Sequence, residues 1–267
     1  MRWIVLGGLG AGLLAVVVAA EVAPHRLRAG MQTLSGLVVA AGLPGTPGLT
    51  ATPEAAALVR AAEGQVGVTT VYDPAYVALD FPGGDVAPDR GVCTDVLVRA
   101  LRVAHGVDLQ AALNADMKAH FAKYPSGWGL SRPDRNIDHR RVPNLRRLFE
   151  RTGAELALTS DPAAFLPGDI VTSVLPGNLP HVMIVTDRPG ATGAPLVVHN
   201  IGAGTRVEDR LFDYPLTGHY RLTPEVLAKL KALQGWRGGG GGHLTLRVSR
   251  SAFATSGGAT TGGRGAR

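Results

Sequence analysis

The only cysteine of this 267-residue chain, Cys93, lies in the segment DRGVCTDVLVRAL. Apolar residues from Val92 to His105 recur as on one face of a helix, so Cys93 falls in the first turn of a predicted helix. The free amides of that turn and the positive end of the helix dipole favour a thiolate, which is the nucleophilic form. The same amides could stabilise an oxyanion formed when Cys93 attacks a carbonyl. A small, unreactive core cysteine is the alternative interpretation of this stretch.

A nucleophilic cysteine requires a base, usually a histidine that a further polar group orients. His181 begins the predicted strand HVMIVTD, and His199 lies in the next one, LVVHNIG. Adjacent antiparallel strands can bring two such side chains into contact. We therefore expect His181 to act as the base and either His199 or Asn200, which point to opposite faces, to orient it. A structural pair of polar side chains is the alternative.

A metal site is the second chemical option for these residues. Zinc accepts mixed sets such as Cys93, His181 and His199. The chain lacks the close C-x-x-C or H-x-x-x-H spacing that usually builds such a site. The sequence therefore predicts no metal.

The segment SRPDRNIDHRRVPNL, residues 131–145, mixes arginines, acids, an asparagine and a histidine ahead of a predicted helix. It is either a solvated loop with local ion pairs or a loop that reads the substrate, its arginines binding a carboxylate. Under the second interpretation the candidate substrate-binding residues, with one from the cysteine helix, are Asp95, Arg135, Asn136, Asp138, His139 and Arg140.

The order of predicted elements indicates an α+β fold. Helices are predicted over residues 53–63, 92–105, 108–123 and 143–151. After Gly153, six short segments rich in Val and Ile alternate with turn residues, which predicts successive antiparallel strands. A final helix is predicted over residues 222–234. N-terminal helices followed by a C-terminal antiparallel sheet are typical of the α+β class.

The ends of the chain differ in composition from its centre. Trp3 to Ala20 is an uninterrupted apolar stretch, about 27 Å long as a helix, which predicts a signal peptide or a membrane anchor within residues 1–22. Residues 23–52 are predicted to be a linker, residues 53–234 the folded domain, and residues 235–267 a disordered tail rich in Gly and Arg. Either fate of residues 3–20 predicts export to the periplasm or cell envelope, with possible anchoring to the inner membrane.

The positive charge lies outside the predicted domain. The chain has a formal net charge of +6, and the tail from Gly235 carries five arginines and no acid. Residues 1–52 contribute +2, which leaves −1 for the central region. A nucleic-acid-binding protein should carry its basic patch on the folded domain. Nucleic acid is therefore not an expected partner.

Five stretches of the sequence resemble known families. PGDIV, HVMIVTD and VVHNIG, preceded by a cysteine at a helix start, resemble the NlpC-type cell-wall peptidases, which have a papain-like fold. More closely, YVALDFPGGDVAPDRGVCTDVLVRAL, PDRNIDHRRVPNL, PGDIV and VHNIG resemble the bacterial family DUF1287 over about residues 53–222. The peptidase resemblance implies that Cys93 is the nucleophile, His181 the base and His199 its orienter. It also implies a tyrosine that helps to bind the oxyanion, for which Tyr72 and Tyr76 are candidates.

These observations lead to one main expectation. The chain is expected to be an exported thiol hydrolase that cleaves amide bonds of peptidoglycan peptides, or of another cell-envelope amide, without a cofactor. A non-catalytic cell-envelope binding module on the same fold is one alternative. A thiol-dependent acyltransferase is another, because the sequence does not separate acyl transfer from hydrolysis.

Overall fold

The computed structural model describes residues 50–235. The predicted signal or anchor segment, most of the predicted linker and nearly all of the predicted tail lie outside this range. The described helices are α1 (Pro53–Glu63), α2 (Cys93–His105), α3 (Leu109–His120), α4 (Val142–Thr152) and α5 (Pro224–Gly235). Short 3₁₀ turns occur at Phe121–Lys123, Asp138–Arg140 and Pro162–Ala164.

Local signals set the helix ends. Thr52 caps α1, because its hydroxyl accepts a hydrogen bond of 3.2 Å from the N–H of Ala55. Gly106 ends α2 and Gly153 ends α4, both in the left-handed conformation, with φ of 62° and 84°. The predicted third helix is shorter than expected: it ends at His120, and Phe121–Lys123 continues it as a 3₁₀ turn.

The C-terminal half forms a six-stranded antiparallel sheet. Its strands are β3 (Glu155–Leu156), β4 (Ile170–Leu175), β5 (Leu179–Pro189), β6 (Pro195–Asn200), β7 (Thr205–Glu208) and β8 (Leu216–Tyr220). Their spatial order is β3-β8-β4-β5-β6-β7. Strands β4 to β7 form the predicted succession of antiparallel neighbours, but β8 returns to lie between β3 and β4. The domain is therefore α+β, as predicted.

The long connection between α1 and α2 contains a second, small sheet that the sequence did not indicate. Strands β1 (Val71–Tyr72) and β2 (Arg90–Gly91) pair in parallel. Because β2 ends two residues before Cys93, this pairing fixes the approach of the chain to α2.

Two apolar clusters cover the two faces of the sheet. The larger one contains Cys93 together with Val182 and Ile184 of β5, and it joins the helices to the sheet. The smaller one contains Met183 and Val185, the alternate residues of the same strand. Cys93 is therefore placed against β5 by core packing. No helix within residues 50–235 is long and apolar enough to cross a membrane.

Candidate active site

Cys93 is the first residue of α2 and is almost completely buried, with 6% of its surface exposed. The preceding residue, Val92, is the N-cap and has no polar side chain. Asp95, the third residue of the helix, supplies the other half of a capping box, because its Oδ2 accepts a hydrogen bond of 2.7 Å from the N–H of Val92. A carboxylate in the first turn is also favoured by the helix dipole. The turn that presents the thiol is thus fixed from within the helix.

Arg140 fixes the same turn from outside. Its guanidinium makes a two-pronged contact with Asp95, at 3.0 Å from Nε to Oδ1 and 3.0 Å from Nη2 to Oδ2. It also donates to the carbonyl oxygens of Ala75 and Asp73, each at 2.9 Å. Both side chains of the ion pair are nearly completely buried. Asp95 and Arg140 therefore connect the start of α2 to two other segments, and their polar atoms are occupied within the protein.

The thiol is neutral in the resting protein. Burial raises the pKa of Cys93 to about 11, an effect that the backbone N–H groups of Val182, Thr94 and Cys93 itself only partly offset. The expectation of a resting thiolate at the helix start is therefore wrong. Removing the sulfur from water costs the anion more than the surrounding donors return.

His181, His199 and Glu208 form a hydrogen-bonded series across three neighbouring strands. Nε2 of His181 lies 2.8 Å from Nδ1 of His199, and Nε2 of His199 lies 2.9 Å from Oε2 of Glu208. The contact between the two imidazoles is the one predicted from adjacent strands. Glu208, in β7, did not emerge from the sequence. All three side chains belong to consecutive strands of one antiparallel sheet.

Ionised Glu208 determines which ring nitrogen atoms of His199 and His181 carry a proton. Burial opposes ionisation of Glu208, but the hydrogen bond from His199 and the nearby arginines hold its pKa below the usual value. When both rings are neutral, Glu208 accepts the Nε2–H of His199, so Nδ1 of His199 accepts the Nε2–H of His181. The remaining nitrogen, Nδ1 of His181, then carries the lone pair. Burial, together with His199, lowers the pKa of His181 to about 3, so this ring is neutral at pH 7.

The start of α2 lies where β5 and β6 separate. The last paired residues at this end of the two strands are Ile184 and Val198. Beyond them, the N–H of Val182 faces the Cys93 thiol, and the side chain of Asn200 donates a hydrogen bond of 3.0 Å to the carbonyl oxygen of Gly91. His181 is thus adjacent in the chain to the residue whose N–H faces the thiol. Within residues 50–235 no hydrogen bond joins the thiol to His181, and Nδ1 of His181 has no protein partner.

A cavity of about 230 Å³ gives access to Cys93. It is lined mainly by apolar side chains, including three prolines, one of which is Pro180 immediately before His181. Tyr72 also lines it, whereas Tyr76 does not. Burial, followed by the nearby Cys93 and Asp95, raises the pKa of Tyr72, so its hydroxyl remains a donor. Of the two candidate tyrosines, Tyr72 is therefore the one beside the thiol.

Two of the other predicted substrate-binding residues, Asn136 and Arg135, contact the connection between α1 and α2. Asn136 accepts the N–H of Leu79 and donates to Tyr76, at 3.0 and 2.9 Å. Arg135 lies over the ring of Phe81. These contacts join residues more than fifty positions apart, so they are not the local ion pairs of a solvated loop.

The remaining two predicted residues of that loop are buried. Asp138 accepts the N–H of Asp134 at 2.6 Å and pairs with Arg141 at 2.9 Å. His139 is 2% exposed, and burial lowers its pKa to about 4. Neither residue lines the Cys93 cavity.

Two residues missed in the sequence line the cavity mouth. Trp128 and Arg141 are in contact, with the guanidinium carbon of Arg141 4.3 Å from the centre of the indole ring. Arg141 stands directly after Arg140, the predicted candidate, and nothing in the local sequence distinguishes the two arginines. Among residues 50–235, no three His, Cys, Asp or Glu side chains converge in a way that could hold a metal ion.

Comparisons with known proteins find relatives over the same region. Residues 59–222 match the family described as "Domain of unknown function (DUF1287)". The chain is 50% identical over 165 residues to the "Uncharacterized protein YijF" of Escherichia coli (strain K12), an alignment that covers 62% of this chain and 80% of that protein. No solved structure matches the chain. The family match spans the residue numbers of Cys93, His181 and His199, and neither description states an activity.

Proposed function

We propose that this chain, which belongs to the DUF1287 family, is an exported cysteine hydrolase. Its proposed substrates are amide bonds of peptidoglycan peptides. One observation carries the proposal. The series His181–His199–Glu208 ends beside the residue whose N–H faces the thiol of Cys93. Covalent acyl chemistry requires a nucleophile, a base and a group that orients the base, and Cys93, His181 and His199 with Glu208 would supply them.

The first step follows from the protonation states. Cys93 begins as a thiol and His181 as a neutral imidazole, so the sulfur transfers its proton to Nδ1 of His181 as it attacks the carbonyl carbon. The imidazolium that forms donates through Nε2 to His199, which in turn donates to ionised Glu208. The negative charge of Glu208 thereby stabilises the positive charge on His181 without direct contact.

The developing oxyanion has donors on the opposite side of the thiol. The N–H groups of Cys93 and Thr94 face the sulfur at the start of α2, and the hydroxyl of Tyr72 borders the same cavity. Collapse of the tetrahedral intermediate breaks the C–N bond, and the amine leaves with the proton held by His181. A thioester on Cys93 results. Water, deprotonated by His181, then attacks this thioester, which releases the carboxylic acid and restores the thiol.

The proposal also specifies a substrate class and a papain-like fold. They rest on the order of the elements, a cysteine at a helix start followed by histidines on two neighbouring strands, which resembles the NlpC-type cell-wall peptidases. Export rests on the apolar stretch Trp3–Ala20, which lies outside the described residues. The proposed chemistry uses only side chains and backbone groups of the chain, and the partner it needs is a peptidoglycan peptide or another cell-envelope amide.

The test is digestion of purified peptidoglycan by the full chain, with products identified by mass spectrometry. Cys93→Ala is the matched control, because it removes the sulfur and little volume. New muropeptides formed by the wild type and absent with Cys93→Ala support the proposal and identify the bond. No products from a protein whose thiol alkylates readily would overturn the peptidoglycan assignment, and no products together with an inert thiol would overturn the hydrolase.

The burial of Cys93 favours a second candidate, a cell-envelope binding module on the same fold. In such a module the thiol would only fill the core between α2 and β5. Sedimentation of the wild type and of Cys93→Ala with insoluble peptidoglycan separates the two. Equal binding by both, without any product, supports the module. Turnover by the wild type alone contradicts it.

A further inference from the structure

The charged side chains that line the Cys93 cavity are all basic. The side chains that border it include two arginines, Arg140 and Arg141, and no acid. The volume of about 230 Å³ lies below the roughly 300–1,000 Å³ typical of pockets for drug-sized ligands. The cavity therefore suits a small end group of a substrate better than a long chain segment.

Arg140 is not available to such a group. Three of its nitrogen atoms donate to Asp95 and to the carbonyl oxygens of Ala75 and Asp73. With its side chain 2% exposed, it has neither free donors nor room to move. Its charge is balanced by Asp95, so it belongs to the support of the nucleophile turn.

Arg141 differs from its neighbour in both respects. Within residues 50–235 its guanidinium makes one hydrogen bond, from Nη1 to Oδ1 of Asp138 at 2.9 Å, so the other guanidinium donors have no protein acceptor. Its side chain is 18% exposed. The indole of Trp128 lies against the guanidinium at 4.3 Å. A guanidinium held between a ring and a carboxylate loses little further freedom when it binds a ligand.

We infer that Arg141, held by Trp128 and Asp138, is the residue with which the Cys93 cavity binds a substrate carboxylate. The inference rests on the proposed function and narrows it to substrates that carry a free carboxylate close to the bond attacked. A guanidinium with two free donors matches the geometry of a carboxylate, and the absence of acids from the cavity lining removes repulsion. Asp138 partly balances the charge of Arg141, but its oxygens are occupied by Arg141 and the N–H of Asp134.

Two alkylating reagents of similar size test this without knowledge of the substrate. Iodoacetate carries a carboxylate and iodoacetamide does not. Both react with Cys93 by forming an S–C bond as iodide leaves and the thiol proton is lost. The measured quantity is the ratio of the iodoacetate rate to the iodoacetamide rate. We expect this rate ratio to be at least about tenfold higher for the folded wild type than for the urea-unfolded chain, which corresponds to about 1.4 kcal/mol.

Three variants of the full chain identify the source of the preference. Arg141→Gln should lower the rate ratio to that of the unfolded chain, and Trp128→Leu should lower it in part by freeing the guanidinium. Arg147→Gln, which removes an arginine of α4 that is paired with Glu150, should leave the ratio unchanged. The iodoacetamide rate of each variant shows whether access to Cys93 has changed, so a variant that loosens the fold is recognised by both rates rising together.

The outcomes separate this inference from the proposed function. A preference that Arg141→Gln abolishes supports it, even if peptidoglycan is not cut, and the hydrolase assignment then fails alone. A folded wild type without preference, a preference unaffected by Arg141→Gln, or one equally lost in Arg147→Gln would overturn it. A thiol that neither reagent reaches would also overturn it, because the cavity would then not lead to Cys93.

Discussion

The side-chain amide of Asn200 donates a hydrogen bond of 3.0 Å to the carbonyl oxygen of Gly91, and both groups are buried. Asn200 follows His199 at the end of β6, and Gly91 lies two residues before Cys93. One hydrogen bond therefore joins the strand of His199 to the turn that precedes Cys93. The Oδ1 of the same amide accepts the N–H of Gly202, so the amide cannot turn over without losing both contacts.

Replacing Asn200 should impair positioning of the thiol. In Asn200→Ala the carbonyl of Gly91 loses its donor, and the turn before Cys93 can shift relative to His181. We expect kcat to fall by about tenfold to a hundredfold with KM nearly unchanged, since small displacements of reacting groups have effects of this size. Asn136→Ala, which removes an amide from the loop outside the cavity, is the matched control. An equal fall in both variants would contradict a positioning role.

Neutralising Glu208 should weaken the base. Glu208→Gln keeps the size of the side chain but removes the negative charge that stabilises protonated His181 through His199. We expect a loss of about a hundredfold in kcat, within the usual contribution of general acid–base catalysis. Combining it with His199→Ala should cost little more than either change alone, because residues that act as a unit are not additive. Additive losses would show that the two residues do not act in one series.

Replacing Asp95 should lower the free energy of unfolding. Asp95→Asn removes one charge of a buried ion pair and leaves the guanidinium of Arg140 uncompensated. Breaking such a pair costs about 3–5 kcal/mol in the free energy of unfolding. Glu150→Gln breaks the more exposed pair with Arg147 and should cost less than about 1 kcal/mol. Urea unfolding of the three proteins measures both values, and a small effect of Asp95→Asn would refute the structural role assigned to this pair.

His139 should make the protein sensitive to acid. Its pKa is lowered from 6.5 to about 4 by burial, so the unfolded chain binds a proton between these values that the folded chain does not. Its contribution to stability is therefore complete above about pH 6.5 and is lost as the pH falls toward 4, by up to about 3 kcal/mol. His181, with its pKa lowered to about 3, adds to the loss in the same direction.

Unfolding experiments at a series of pH values measure how much His139 contributes to the loss of stability in acid. In His139→Gln the free energy of unfolding should fall less steeply between pH 6.5 and 4 than in the wild type. His120→Gln, at a half-exposed position on α3, should retain the wild-type slope. The comparison uses differences in slope, so an overall destabilisation by either substitution does not affect it. Identical slopes in all three proteins would contradict the role of buried His139.

Features encoded by neighbouring residues were predictable from the sequence. Thr52 and Gly106 mark helix ends through their own side chain or backbone conformation, so the boundaries of α1 and α2 followed from the chain alone. The contact between His181 and His199 followed from two strands joined by a short loop. In each case the interacting groups lie close in sequence, and local geometry restricts where they can go.

Features that depend on distant pairing were not predictable. The place of β8 between β3 and β4, and the parallel pairing of Val71–Tyr72 with Arg90–Gly91, depend on how the whole domain closes. Glu208 joins the histidines only through the register of β6 with β7. Arg140 and Arg141 are adjacent and both border the cavity, yet only Arg140 is buried in an ion pair with Asp95, because a 3₁₀ turn directs consecutive side chains differently.

The protonated state of Cys93 has a consequence for its survival. Peroxides and disulfides are attacked by thiolates, so a sulfur whose pKa is about 11 oxidises slowly at neutral pH. It is also the only thiol in the chain, which leaves it no internal partner for a disulfide. Resistance to sulfenic acid formation thus arises from the burial that raises the pKa of the Cys93 thiol. A bound carbonyl substrate, and not the redox state of the surroundings, would decide when this sulfur reacts.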